Sequence, residues 1–295
     1  MISNRCITQV ATAIVLALGG INASAVPLSA DIATVVDESG SMYGEHTWLP
    51  GMVGDLETGL TGAGVGAGPN NNRYAQVGFG GHGWPQEPHK HQEGGSDWFG
   101  ADDYENDFVT SGSFEDGWNG IDFFFDNYSA RPGSALNVIL VTDEDRDDQD
   151  RSLSFDGIGS TLDSNRALLN AVVNASFECE DGSRALGIDS TGTGYVADGS
   201  GGFNLCTGAS ATGGFGTTTA DYVDLAMGVG GAAWDLNQLR AGGDTATSFT
   251  NALVDIKVQE IQQQQPHGVP APATLALIGT GLVGLGFSRR RKADQ

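Results

Sequence analysis

The sequence predicts an α/β protein: a doubly wound, mainly parallel sheet flanked by helices, in a single domain. Three observations point there. Short apolar runs rich in β-branched residues alternate with segments whose apolar residues recur every three or four positions. The runs are mainly apolar rather than alternating, as strands covered on both faces are. The length of 295 residues is enough for one large domain with its own core.

Residues 32–36 read as the first buried strand. Residues 46–60 read as a helix, with Trp48, Leu49, Met52, Val53, Leu56 and Leu60 spaced three and four apart. Pro50 falls in its expected first turn, where the missing N–H is tolerated. Residues 73–79 form a second strand, and residues 115–127 a second helix with Trp118, Ile121, Asp122 and Phe125 on recurring turns. Residues 136–142 (Leu-Asn-Val-Ile-Leu-Val-Thr) are the clearest buried strand. Residues 161–175 read as a third helix, 185–189 as a fourth strand, 221–227 as a short helix and 232–236 as a strand. Residues 246–261 close the domain as an amphipathic helix, with Phe249, Leu253, Ile256 and Ile261 on one side. Residues 80–107 lack periodicity and read as a long inserted loop, and residues 191–219 as a second irregular stretch. Loops this long inside a compact domain are often functional. The domain as read spans residues 31–261, without internal repeats.

Composition narrows the function. The 45 glycines show no three-residue period, which excludes collagen. The net charge is −23, and Arg5, Arg289, Arg290, Arg291 and Lys292 leave the body more acidic still. Such a body repels phosphate backbones, so nucleic acid is excluded as a partner.

Both ends read as processing signals. Residues 1–25 have the form of a signal peptide: Arg5, an apolar run over 10–18, then Ala23-Ser24-Ala25. That run is too short to span a bilayer core of about 30 Å. Export implies an oxidising environment, in which Cys179 and Cys206 are a candidate disulfide around a glycine-rich excursion. The alternative is two separate buried thiols. Cys6 would leave with the signal peptide. No CxxC spacing suggests redox or zinc chemistry.

After a polar linker at 262–268, residues 269–295 form a tail. Its apolar part, about 273–288, reaches about 23 Å as a helix. The basic cluster Arg289-Arg290-Arg291-Lys292 belongs on the cytoplasmic side of the inner membrane. The proline motif Val269-Pro270-Ala271-Pro272, the apolar helix and the arginine cluster, in that order, resemble the PEP-CTERM sorting signal. Ala271 stands where that family usually has glutamate. The resemblance implies processing by an exosortase-type enzyme and release to the Gram-negative envelope, cell surface or extracellular matrix. The alternative is an ordinary C-terminal membrane anchor.

The segment after the first strand, Val35-Val36-Asp37-Glu38-Ser39-Gly40-Ser41-Met42, offers a carboxylate and two hydroxyls at alternate positions of a tight turn. Such groups can converge on one hard cation. In doubly wound sheets, ligands bind outside the carboxyl ends of the strands, where the winding reverses. The bland reading is an Asx-turn and helix cap. The segment resembles the DxSxS signature of von Willebrand factor A domains, their metal-ion-dependent adhesion site. The resemblance implies Asp37, Ser39 and Ser41 as metal ligands. Two further loops are implied. In the second, Ser111 to Ile121, Glu115 resembles the acidic variant of integrin β-subunits, with Ser113 as the alternative ligand. Glu115 and Asp116 also suit a helix N-terminus electrostatically. In the third, Asp143 matches the aspartate that such domains place after the strand. Glu144, Asp145, Asp147, Asp148 and Asp150 around it read as a solvated charged loop, or a second cation site. The ion expected is Mg2+, Ca2+ or Mn2+, and an added glutamate favours tighter binding and Ca2+ or Mn2+ over Mg2+.

His82, His89 and His91 lie close together with Trp84 and Trp98. Their spacing defines no zinc geometry, so they read as an exposed loop with aromatic contacts. The glycine run at 62–68 lacks the lysine of a phosphate loop. No GxSxG nucleophile motif occurs. The function expected is non-enzymatic, metal-dependent adhesion to a protein or matrix ligand. The rivals are a structural matrix component with a stabilising ion, and a metal-dependent secreted hydrolase for which His46 is the only nearby base.

Overall fold

The computed structural model describes residues 29–81 and 86–264. The leader at 1–25, the tail at 269–295, and His82 and Trp84 lie outside them. Among the described residues there are twelve strands: β1 (Ala30–Asp37), β2 (Arg73–Phe79), β3 (His89–His91), β4 (Ala135–Thr142), β5 (Ala167–Val173), β6 (Ala175–Glu178), β7 (Arg184–Ala185), β8 (Gly187–Asp189), β9 (Gly194–Ala197), β10 (Phe203–Cys206), β11 (Ser210–Gly214) and β12 (Ala232–Asp235). The helices are α1 (Tyr43–Gly62), α2 (Gly117–Asn127), α3 (Phe155–Asn165), α4 (Asp224–Gly228), α5 (Leu236–Arg240) and α6 (Gly243–Gln263).

The main sheet has nine strands in the order β10-β9-β8-β12-β5-β4-β1-β2-β3. Its centre is parallel: β1 pairs with β2 and β4, β4 with β5, and β5 with β12. Antiparallel strands close both edges. A small sheet, β11-β6-β7, lies beside it. The chain goes from β1 outward to β2, then returns to the other side of β1 as β4. The winding therefore reverses between β1 and β4, and a crevice is expected at their carboxyl ends.

Strand alternation divides the core into two layers. Ile32 and Val36 of β1, with Ile139 and Val141 of β4, meet Leu49, Met52 and Val53 of α1 and Phe249 and Leu253 of α6. Ala33, Val35, Val138 and Leu140 face Trp118, Ile121 and Phe124 of α2, Ile158 and Leu162 of α3, and Leu225 of α4. Burial on both sides explains why β1 and β4 are mainly apolar, with their few polar side chains hydrogen-bonded.

Several expectations need correction. Residues 161–175 are not one helix. The helix α3 starts earlier, at Phe155 with Ser154 as its cap, and ends where Arg166 turns left-handed at φ 53°. The apolar run that follows is β5, a central strand. The helix α1 begins at Tyr43, so Pro50 sits inside it rather than in its first turn. The expected strand at 185–189 is split into β7 and β8, and residues 221–227 open with a π-helical turn, Thr219–Val223. Gln262 and Gln263, read as linker, belong to the end of α6. The stretch 80–107 contains the edge strand β3, and 191–219 contains β9, β10 and β11. In that second stretch Cys179 and Cys206 form a disulfide, with their Cα atoms 6.0 Å apart.

Candidate functional site

Three loops meet at the carboxyl ends of β1 and β4. Asp37 is the last residue of β1 and Asp143 follows β4 directly; the parallel register Val36↔Val141 brings them level. The second loop docks through its backbone. Ser111 and Gly112 donate their N–H groups to the Glu38 carbonyl, at 3.2 and 3.4 Å, and Gly112 bridges Ser39. A Cβ on Gly112 would overlap the Gly80 carbonyl, so only glycine permits this approach. Glu115 follows, and a paired clasp holds it. Its N–H donates to Asp147 Oδ2 at 2.9 Å, and Asp147 N–H returns a bond to its carbonyl at 2.8 Å.

One oxygen from each of Asp37, Glu115 and Asp143 lies within 4.8 Å of the others. Around them, Ser39 N–H donates to Asp37 Oδ1 at 2.7 Å and Thr142 Oγ1 donates to Asp37 Oδ2 at 2.9 Å. The Ser39 and Ser41 hydroxyls are 2.9 Å apart, and Ser41 donates to Asp143 Oδ1, also at 2.9 Å. All five residues expected as ligands are thus brought together. Ser113 is exposed, with its N–H towards Gln86, whereas Glu115 is buried. The helix-start role falls to Asp116, which caps α2 by accepting from Asn119 N–H.

The electrostatics are those of an anionic hole. Burial raises the Asp37 carboxyl above its ordinary pKa, and hydrogen bonds from Glu115, Ser39 and Thr142 offset this only in part. Burial also raises Glu115, and the Asp37 charge pushes the same way. Two buried carboxylates this close, Asp37 and Glu115, resist ionising together unless a cation lies beside them. Glu115 Oε2 is buried and has no hydrogen-bond partner. The donor set is all oxygen, which suits a hard divalent ion.

Sequence reasoning missed four contributors. Thr142 orients Asp37. Asp147 clasps Glu115. Arg240 of α5 donates to Asp143 Oδ2 at 2.8 Å and to Glu45 Oε1 at 2.7 Å, so one carboxylate of the rim already carries a cationic partner. Glu38 faces away from this cluster towards His89 and His91, at 3.1 and 2.9 Å. Burial raises the Glu38 carboxyl, but the two imidazoles outweigh it and hold it at about 2. No signal in the sequence joins these residues, because their meeting depends on strand register.

The acidic third loop, expected to be a solvated charged loop, has several of its side chains paired. Asp145 accepts from Thr217 N–H at 3.0 Å. Arg146 pairs with Asp116 and Asp148, both at 2.8 Å, and lies 4.3 Å over the Trp118 ring. His46, weighed as a hydrolytic base, is buried with Nε2 2.6 Å from the Asp37 carbonyl oxygen. Burial lowers its pKa, so it is the neutral donor of that bond.

No curated protein matches the sequence. Among solved structures, the chain resembles proximal thread matrix protein 1 from the mussel byssus with a zinc-occupied MIDAS motif. Identity is 17%, with a TM-score of 0.35 over 49% of this chain and 35% of that one. The chain thus spans about a third of that protein's solved length. It also resembles an aerotolerance-related membrane protein from Bacteroides fragilis NCTC 9343, at 10% identity and TM-score 0.40, covering 77% of this chain and 99% of that one. A third likeness is to the pilus adhesin SpaC from Lactobacillus rhamnosus GG, at 20% identity and TM-score 0.29, covering 40% and 16%. No helix among the described residues is long and apolar enough to cross a membrane. Beyond them, residues 268–292 match the PEP-CTERM protein-sorting motif, a mark of exported cell-surface proteins of Gram-negative bacteria.

Proposed function

We propose that this chain is an exported surface or matrix protein whose domain binds a protein or matrix ligand through a bound divalent cation. Asp37, Ser39, Ser41, Glu115 and Asp143 would hold the ion, as the resemblance of the Asp37–Ser41 turn to the metal-ion-dependent adhesion site implies. The observation that carries this reading is the convergence of three carboxylates from three loops, with the buried Glu115 Oε2 lacking any other partner. Removing one negative charge would be enough to relieve such a cluster, yet all three are retained at a strand-end crevice. A cation is the group that makes the set favourable. Mg2+, Ca2+ or Mn2+ fits the oxygen donors. Tyr43, 69% exposed just beyond the turn, adds an aromatic contact surface beside the ion.

The tail supports delivery rather than binding. An exosortase-type enzyme would act on it, after the apolar segment had held the chain at the inner membrane. A leader over residues 1–25 and a Cys179–Cys206 bridge agree with export.

The test is capture from native extracellular matrix, with the full chain as bait, in calcium and magnesium or in chelator. Metal-dependent capture with circular dichroism unchanged supports adhesion. Melting of the fold on chelation, with no metal-dependent partner, supports the structural reading instead. The second reading has its own observation: Asp147 and Arg240 already knit the same loops together.

A further inference from the structure

Within the turn that carries Asp37, Ser39 and Ser41, the Glu38 side chain engages different partners. It is fully buried. A Cβ on Gly78 would come 2.6 Å from its carboxyl carbon, and one on Gly81 would overlap its Cβ. Two glycines therefore keep open the slot in which this carboxylate lies. Val109 N–H donates to Oε1 at 3.0 Å.

β3 completes the arrangement. It pairs antiparallel with β2, with His89 opposite Gly78 and His91 opposite Gln76. The two-residue period of a strand puts both imidazoles on one face. Lys90, between them, pairs instead with Asp97 at 2.6 Å. His91 Nε2 lies 2.9 Å from Glu38 Oε1, and His89 Nε2 3.1 Å from Oε2. Phe108 packs edge-on against the His91 ring at 4.9 Å. His89 Nδ1 is 3.3 Å from the Glu87 carbonyl oxygen, placed to donate its proton there. The other ring nitrogen, Nε2, faces the carboxylate, and in the metal-free protein a proton between them makes an ion pair. Glu38 Oε2 has no directed hydrogen bond. A metal ion can take the place of that proton between the imidazole and the carboxylate. A carbonyl accepting from the far ring nitrogen is the usual support of a metal-bound histidine.

The spacing fits. Donor atoms around a tetrahedral zinc with bonds of about 2.0–2.1 Å are about 3.3 Å apart. One donor atom each from Glu38, His89 and His91 lies within 4.8 Å of the others. The His89 side chain is 25% exposed, which leaves a route for solvent to a fourth position. We infer that Glu38, His89 and His91 form a second metal site, selective for zinc or a similar borderline transition ion and distinct from the all-oxygen site. Two imidazoles and one carboxylate suit zinc far better than magnesium or calcium.

The full chain, stripped by chelator and held in saturating magnesium, would be titrated with Zn2+ by calorimetry. Co2+ would be followed by visible absorption and X-ray absorption. One equivalent of zinc is expected despite the magnesium, and cobalt should show a four-coordinate spectrum with two imidazole nitrogens. Combined His89→Gln and His91→Gln should weaken zinc binding at least about 100-fold, whereas Asp37→Asn should keep that equivalent. No zinc uptake in magnesium overturns the site and leaves an imidazolium–carboxylate pair. Cobalt with oxygen donors only overturns it equally. So does loss of the zinc equivalent in a folded Asp37→Asn variant. Should the double variant fail to fold, the cobalt coordination of the unaltered chain decides alone.

Discussion

Glu115→Gln separates the two demands placed on one side chain. In the metal-free domain Glu115 faces Asp37 and Asp143 within 4.8 Å. Two ionised carboxylates at that distance repel by about 3 kcal/mol at an effective dielectric constant of about 20. The molecule escapes part of this by holding a proton, so the amide should stabilise the metal-free fold by about 1–3 kcal/mol. The same change takes a full negative charge from the proposed ion. Ion–carboxylate attraction acts at shorter range than carboxylate repulsion, and the ion carries two charges. Dehydration cancels most of the gross gain. A net loss of about 2 kcal/mol remains, about 30-fold in Kd. Urea unfolding in chelator and calorimetry with Ca2+ measure the two halves. The signature is opposite signs: a more stable metal-free domain that binds calcium more weakly. Unchanged calcium affinity refutes Glu115 as a ligand, and a less stable metal-free variant refutes the electrostatic strain.

Arg240→Met should also act in two directions. Glu45 and Asp143 lose a partner at 2.7 and 2.8 Å, so urea unfolding in chelator should show a loss of about 3 kcal/mol. Calcium affinity should rise about fivefold, because a competing positive charge leaves Asp143. Gly112→Ala should break the docking of the second loop onto Glu38 and cost about 3 kcal/mol or more, read as loss of soluble folded protein and of calcium binding. Asp31 supplies a pH dependence far from the site. Burial raises its pKa, but Arg73 and Arg131, at 2.8 and 2.6 Å, outweigh this and hold it below the ordinary value of 3.8. Its stabilisation is therefore complete above the unfolded pKa and is lost as pH falls below about 4. The urea midpoint of the unaltered domain should drop in that window, and Asp31→Asn should remove this part of the drop. Replacing Cys179 and Cys206 by alanine opens a loop with a separation of 27 residues, for an expected loss of about 3.5 kcal/mol in thermal or urea unfolding.

The elements that sequence reasoning placed correctly are those whose environment is uniform along their length. β1 and β4 are covered on both faces, so every position is apolar or satisfied and the run stands out. The misplacement at 161–175 has a definite cause. Leu162, Leu169, Val172 and Val173 fit a helical period, and alanine and leucine favour a helix. What ends the helix is Arg166 in a left-handed conformation, one that arginine seldom adopts. Asn170, polar inside a central strand, is tolerated because it accepts from Trp234 Nε1 at 3.0 Å and donates to Glu260 at 2.9 Å. Neither fact is visible locally. The turn from Asp37 to Ser41 was legible because its donors are close in sequence and follow a recognisable strand. Arg240 and Asp147 were not, since each reaches the site from a distant loop or helix. The histidines of β3 had been left in a loop for the same reason: their partner Glu38 lies about 50 residues upstream, and only the pairing of β3 with β2 joins them.

A single turn can serve two donor sets because of how a chain leaves a parallel strand. Alternate side chains depart to opposite sides. Asp37 ends β1 at the crevice between β1 and β4, and the tight turn that follows brings the Ser39 and Ser41 hydroxyls to the same place, where Glu115 and Asp143 arrive from elsewhere. Glu38 departs to the other side and enters the slot left by Gly78 and Gly81 beneath β3. Between them, the Glu38 carbonyl accepts the N–H groups of Ser111 and Gly112 and so positions the loop that leads to Glu115. The side chain of Glu38 belongs to one cluster and its carbonyl supports the other. The two clusters differ in kind: the crevice offers only oxygen, while the β3 face adds two imidazoles brought there by strand register.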